Sequence, residues 1–518
     1  MHGRFAHGGQ PDSYCLNKRL QGVDAGARRC LWLGRQCRQW QTLHCSIIAD
    51  ASQIIREDKE MQSNSLKQSL KQRHITMIAL GGVIGAGLFM GSGKLIASAG
   101  PAAILSYFIG GIVVTLVMFM LGEMACRNPD AGSFSTYANS YLGEWAGFTV
   151  GWLYWLKSML TITLEAVLLG AILNDFLPWL PIWAGAFIML VTLMASNAYS
   201  VKSFAEVEYW LAAMKVATIL IFMVLGLSIL LGLHSNIPSP GWVNLTAHDG
   251  FMPNGLSPVM AGVVVVIFSL GGSEIAAVAA GESENPRKNV IRAIKSVILR
   301  VMLFYVGSVS ILILCLPWTD TENLASPYVS LFSLAGFSGA AVAMKIVLFI
   351  SFMSVMNSFM FSNSRMLFSL SQRGHAPKLF SRTTSKGVPL NALLLSLSIC
   401  LLILTVHFVS GGDLFMTLAK SSGTFVMIVW IFIIVAHFAM RWKTRHEAVD
   451  PTAFRAWFFP YANIVALFAL LAVIITQAFD PASRFQFWFT SVTSLVVLGA
   501  YWVMRNRLAG KTIGYVGS

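Results

Sequence analysis

The chain has 518 residues, 56% of them hydrophobic and only 12% charged, with a mean hydropathy of +0.66. A composition so apolar excludes a soluble globular protein and predicts an all-α, polytopic membrane protein. The net charge of +14 does not imply a nucleic-acid partner, which needs Lys and Arg gathered on one surface, whereas here they fall in loops between apolar segments.

Residues 1–60 differ from everything after them: Arg, Cys, His and Gln cluster there without a sustained apolar period. We read them as the product of a misplaced start, with Met61 of MQSNSLKQSLKQRH opening the functional protein; the alternative is a disordered cytoplasmic tail. Peptides from residues 1–50 in the native protein would refute the first reading. No cleavable signal peptide is expected, because the first apolar run starts near Ile75 and is too long for a signal's hydrophobic region. The cysteines give neither a disulfide framework nor metal-ligand spacing: Cys15, Cys30, Cys37 and Cys45 precede the first span, and Cys126, Cys315 and Cys400 are scattered among apolar segments. No metal and no cofactor is expected.

Windows of about 20 apolar residues, the length that crosses a bilayer, fall near 75–98, 101–126, 146–174, 181–200, 206–234, 256–281, 293–317, 339–370, 389–409, 414–440, 457–477 and 486–504. About twelve transmembrane helices follow. Alternate loops carry the basic residues, as in Lys67, Lys71 and Arg73, the run Arg287, Lys288, Arg292 and Lys295, and the cluster Arg441, Lys443 and Arg445. The opposite loops are nearly bare, with Arg484 the exception. Under the positive-inside rule both termini are cytoplasmic.

The first window holds ALGGVIGAGLFMGSG (79–93), with Gly81, Gly82, Gly85, Gly87, Gly91 and Gly93. Each mid-helix Gly costs about 1 kcal/mol relative to Ala, so a continuous helix is disfavoured. Within hydrocarbon a broken backbone survives only where it is buried in protein or lines a cavity, because lipid cannot satisfy bare N–H and C=O groups. The break therefore points to a site. Gly85-Ala86-Gly87 would offer main-chain donors to a carboxylate, beside the positive end of the following half-helix, and the carbonyls before it would face an ammonium. The alternative is close helix packing, since Gly81/Gly85 and Gly87/Gly91 have small-xxx-small spacing.

Ionisable residues inside later spans extend the reading. Glu123, in MLGEMACRNP, lies near enough to the cytoplasmic face to be hydrated and reads as structural. Glu165, midway along the third span, is either a proton carrier or partner of a substrate amino group, or a polar clamp between helices. Lys157, in GWLYWLKSML, and Lys345, in the eighth span, fit no pattern. Lys157 is expected to face water or the cytoplasmic vestibule; if it reached the pocket it would repel basic substrates and attract acidic ones. Lys215 lies about ten residues into the fifth span, roughly 15 Å deep at ~1.5 Å per residue, too deep to snorkel. A buried ammonium is costly, so Lys215 is a candidate to gain and lose a proton in each cycle, or else a permanent pin between the fifth and first spans.

The sixth window, GVVVVIFSLGGSEIAAVAAGE (262–282), carries Gly271-Gly272 in mid-membrane, followed by Glu274. Two Gly-interrupted segments in equivalent places of successive five-helix units point to an inverted-repeat transporter whose site lies where the breaks meet. Glu274 is therefore placed nearer the site than Glu165. In the eighth span Asn357, Ser358, Ser362 and Asn363 share a face, by default as polar glue between helices. In the tenth, Lys420-Ser421-Ser422-Gly423 is expected to be shallow, with Lys420 snorkelling or lining an external vestibule.

These residues, with GSFSTYA (132–138), AGFTVGWLYW (146–155), VEYWLAAMKV (207–216), FSLGGSE (268–274), GESENPRKNVIRAI (281–294) and SRMLFSLSQRGHAP (364–377), resemble the amino acid permeases of the amino acid–polyamine–organocation (APC) superfamily. The nearest likeness is to bacterial γ-aminobutyrate (GABA) permeases, to which GFMPNG (250–255) also looks similar, although Lys157 stands where they look apolar. The resemblance implies a LeuT-like fold of five plus five inverted spans with two peripheral ones, in a bacterial cytoplasmic membrane. It divides the chain into a cytoplasmic segment 1–72, repeats 73–234 and 235–440, peripheral helices 441–506 and a cytoplasmic tail 507–518. It implies proton-driven amino acid uptake, with substrate held by Val83, Ile84, Gly85, Ala86 and Gly87 and by Phe268, Ser269, Leu270, Gly271 and Gly272. Phe268 would close over bound substrate. Lys215, Glu274 and Glu165 would serve proton coupling, Lys215 standing where sodium-coupled relatives bind sodium.

The leading function is thus a proton-coupled importer of GABA or of a neutral or aromatic amino acid. An amino acid exchanger is the alternative, followed by a non-transporting sensor, although no signalling domain is visible. An enzyme is not expected, since no metal cluster, nucleophile–base arrangement or Walker motif is present.

Overall fold

The computed structural model describes residues 70–512, apart from 131, 234–238, 241, 284, 338, 411–413, 447–453 and 482. The expectation of a misplaced start over residues 1–60 lies outside the described residues. Those described are helical, with no strand among them beyond the isolated bridge of Leu70 with Ser283.

The first span comes apart where its glycines crowd. Helix α1 (Gln72–Gly81) stops before Gly82, and the chain resumes as α2 (Ala86–Phe89) and α3 (Gly91–Ala99). Gly100, at φ +64°, turns it into α4 (Ala103–Arg127), an unbroken run of 25 residues. The short α5 (Ser133–Leu142) precedes α6 (Glu144–Phe176), the longest of the first half. Proline stands immediately before the first residue of α7 (Ile182–Tyr199), where its fixed φ suits a helix start. Ser200 caps α8 (Val201–Leu230), its hydroxyl accepting the N–H of Ser203 at 2.9 Å.

The sixth span repeats the interruption, as α9 (Leu256–Leu270) and α10 (Ile275–Ala280) flank Gly271–Glu274. The seventh consists of α11 (Pro286–Arg300), a π-helical turn at Val301–Gly307 and α12 (Ser308–Cys315). Then follow α13 (Ala340–Gln372), α14 (Leu390–Val409), α15 (Leu414–Lys443), α16 (Tyr461–Phe479) and α17 (Arg484–Thr512).

Ten helices are long and apolar enough to cross a membrane among the described residues. Ten of the twelve sequence windows correspond to them, and the first and seventh do not. The first window is cut by its break, so that its outer half merges into the run Gly87–Arg127. The seventh corresponds to the shorter apolar helix Met302–Cys315, which takes in most of the π turn.

Helix α6 occupies the centre, packed against α5, α7, α13 and α15. On α6, Gly170 abuts α7 so closely that a Cβ there would lie 2.8 Å from the Ala186 nitrogen, the close backbone approach that small residues permit between membrane helices. Helix α1 packs on α8, and α9 on α4 and α15, which brings the two broken spans side by side at the middle. Helix α17 is the least buried span, on the outside of α6, α15 and α16.

Candidate functional site

A helix interrupted in an apolar interior leaves carbonyls and N–H groups that must find partners. At the first break, side chains from other spans take them. The Lys215 ammonium, fully buried on α8, donates to the carbonyls of Gly81 at 2.6 Å and Ile84 at 2.9 Å. The Tyr305 hydroxyl, from the π turn, lies 2.9 Å from the Val83 carbonyl and 3.0 Å from that of Ser269. One phenolic proton is thereby shared between carbonyls of both broken spans. At the second break, Glu274 accepts the N–H of Gly272 at 3.0 Å, and the Ser273 hydroxyl donates to the Leu270 carbonyl at 2.8 Å.

The two breaks touch through backbone. Gly272 adopts φ +112°, and a Cβ there would overlap the Gly82 carbonyl, with its carbon only 2.8 Å away. Only glycine meets both demands. Gly87 likewise leaves room for Ser269, whose Cα a Gly87 Cβ would approach to 2.6 Å.

Beside this junction lies a cavity of about 20 Å³, room for a water rather than for an amino acid. Val83, Gly85, Gly87, Phe268, Ser269 and Gly271 line it, together with Lys157, Thr161 and Glu165 of α6 and Ser422 of α15. A second, largely apolar cavity of about 460 Å³ opens between α3 and α9, bordered by Leu164 and Lys420. Phe268 and Gly87 line both. On the other side of the junction, Glu282 and Arg365 form a fully buried ion pair at 2.7 Å, with Arg365 stacked on Phe361. The larger cavity thus reaches the junction at Phe268 and Gly87, and a buried ion pair lies beyond the junction on the other side.

Of the main-chain residues singled out, Ile84, Leu270 and Gly272 stand behind the cavity wall, and Ala86 opens α2. Glu165 lines the cavity, its Oε1 3.3 Å from where a Gly85 Cβ would be. Glu274 is fully buried beside the second break. Lys215 reaches the first break from behind rather than facing the cavity.

Several expectations require correction. Lys157 does not face water: it is 2% exposed, lines the cavity, and lies 3.6 Å from Glu274 and 3.8 Å over the Phe359 ring. A charge near the middle of α6 has protein on every side, because α6 is the central helix. Glu123 is not hydrated but buried, holding His437 at 3.0 Å, Arg441 at 2.7 Å and the Ala456 N–H at 2.7 Å. It ties α4 to α15 and the segment after it, which agrees with a structural role. The segment 420–423 is deeper than expected: Ser422 bonds Thr161 at 2.8 Å, and Gly423 faces Phe268. Lys345 pairs with Asp175 at 2.8 Å where both are exposed.

Four residues carried no clear signal in the sequence. Glu208, buried on α8, accepts from Ser354 and from Asn357 at 2.9 Å, and abuts Gly81. Its only signal was a place two turns before Lys215, on the same face. Tyr305 had none, since a π turn leaves no mark in apolar periodicity. Glu282 and Arg365 lay inside quoted motifs, but their pairing joins residues 83 positions apart. The polar face of α13 has named partners, with Asn357 accepting from Asn197 at 2.7 Å and Asn363 donating to the Trp155 carbonyl at 3.1 Å.

Comparison with known proteins gives a consistent grouping. Residues 74–511 match the family described as amino acid permease. The chain is 40% identical over 447 residues to the gamma-aminobutyric acid permease of Bacillus subtilis (strain 168), covering 86% of this chain and 95% of that protein. It is 37% identical over 438 residues to the gamma-aminobutyric acid permease of Escherichia coli (strain K12), covering 84% and 94%. It is 36% identical over 456 residues to an aromatic amino acid transport protein of Salmonella typhimurium (strain LT2), covering 88% and 99%.

Proposed function

The chain belongs to the amino acid permease family, and from that premise we propose that it imports an amino acid by alternating access, coupled to protons. The observation that carries this is the junction of two interrupted spans, with a cleft on one side and a buried Glu282–Arg365 pair on the other. A single site reachable from one face at a time is what alternating access requires. In the LeuT-like arrangement of five plus five spans that we infer, the broken pair rocks against the other helices.

Main-chain N–H groups at Gly85–Gly87 receive the substrate carboxylate. The carbonyls of Val83 and Ser269, which converge on one hydroxyl, offer acceptors to its ammonium. Phe268, between the two cavities, closes over the occupied site. Lys215 is the group whose protonation links substrate movement to the proton, because losing its charge would weaken its hold on two carbonyls of the break at once. Glu165 and Glu274 are the further candidates. The basic loops put both termini in the cytoplasm of a bacterial cell, with the cleft facing outward.

The names of the relatives favour GABA or an aromatic amino acid as substrate. Uptake of labelled amino acids by proteoliposomes tests the proposal: saturable uptake supports it, and a chain that moves none of them overturns it. Counterflow indifferent to an uncoupler would instead identify an exchanger.

A further inference from the structure

Resting on the transport reading above, we propose that Lys157 sets substrate specificity by binding a carboxylate remote from the substrate's ammonium: the side-chain carboxylate of an acidic amino acid, or the single carboxylate of an ω-amino acid, which it would share with the main-chain N–H groups at Gly85–Gly87 of the same cavity. Lys157 contributes the ammonium among the residues lining the small cavity. An ammonium is donor-only and keeps its charge at a cost unless an anion meets it. Its acidic neighbour does so incompletely. Glu274 Oε1 is 3.6 Å away, beyond the roughly 2.7–2.9 Å of a charge-assisted hydrogen bond. The other Glu274 oxygen is occupied by the Gly272 N–H. The face of Phe359, 3.8 Å from the nitrogen, takes a further part of the charge. The ammonium is held in position without being saturated.

The cleft leading to the cavity supplies a second observation. Its lining includes two lysines, Lys94 and Lys420, and no carboxylate. The cleft surface is largely apolar, so these lysines line it mainly with their stems, and it holds no carboxylate that would repel a substrate anion. Beyond Phe268 the next cation is Lys157. A substrate anion therefore passes two lysines and ends at a third, while its ammonium stays among the break carbonyls and Glu165. An aliphatic or aromatic side chain placed against Lys157 would strip the ammonium of its partners, and a basic one would be repelled.

The test is uptake of labelled glutamate, glutamine, GABA and phenylalanine by proteoliposomes bearing wild type, Lys157→Met or Lys157→Arg. In wild type, glutamate or GABA should be preferred over glutamine and phenylalanine by at least about ten-fold, the size of one charge-assisted contact. Glutamate and GABA distinguish the two carriers of the same remote carboxylate. Lys157→Met should erase the preference and Lys157→Arg should keep it. A purely structural lysine would lower all four uptakes together without moving their ratio. An unchanged ratio in Lys157→Met, or a wild type preferring glutamine or phenylalanine, overturns the assignment and leaves amino acid transport standing. Failure of wild type to move any amino acid overturns the transport reading along with it.

Discussion

Replacing Lys215 by Met keeps an unbranched apolar side chain, one atom shorter, and removes the charge. Two charge-assisted hydrogen bonds disappear, those to the carbonyls of Gly81 at 2.6 Å and Ile84 at 2.9 Å. Such bonds contribute about 1.5–3 kcal/mol each. Glu208, fully buried two turns away and electrostatically linked to Lys215, loses its countercharge. The expected loss for Lys215→Met is therefore about 3–5 kcal/mol. Adding Glu208→Gln removes the stranded charge and preserves an acceptor for Asn357, so the double variant should recover about 1–3 kcal/mol. Unfolding in mixed micelles, followed by tryptophan fluorescence, ranks the three proteins. The order should be wild type, then double variant, then Lys215→Met. A double variant no more stable than Lys215→Met would refute the electrostatic part of the reasoning. Accumulation driven by a pH gradient should be absent from both variants; its survival in Lys215→Met would remove Lys215 from proton coupling.

Two neighbouring glycines provide a sharper contrast. Gly272→Ala forces a side chain into φ +112° and onto the Gly82 carbonyl, whereas Gly271→Ala, at φ −62°, approaches nothing closer than the Phe268 carbonyl at 3.1 Å. Uptake should be lost in the first and largely kept in the second, with both proteins inserted at wild-type levels; equal activity would show that the breaks do not press together. Tyr305→Phe keeps the ring and removes the hydroxyl shared by Val83 and Ser269. It should destabilise the protein by about 1–2 kcal/mol and raise the KM for substrate, and a variant matching wild type in both would deny the hydroxyl any part in the junction.

The breaks were legible in the sequence because glycine clusters interrupt stretches otherwise long enough to span a membrane, and hydrocarbon tolerates such interruptions in few places. Depth along a helix was legible too, as Lys215 shows. What the sequence withheld was direction around the helix. Lys157 was expected in water and lies in the cavity because α6 is central, a fact of packing rather than of its own residues. Glu208 and Tyr305 were hidden for related reasons, one among polar residues at a basic helix start, the other on a π turn. The Glu282–Arg365 seal was beyond reach, since neither motif alone indicates which residue it meets.

The most direct measurement is accumulation of a labelled amino acid inside proteoliposomes under an imposed pH gradient, acidic outside. Concentration of the label above its external level, abolished by an uncoupler, is the expected result. Passive equilibration alone, or accumulation that ignores the uncoupler, would contradict proton-coupled import at the junction of the two broken spans.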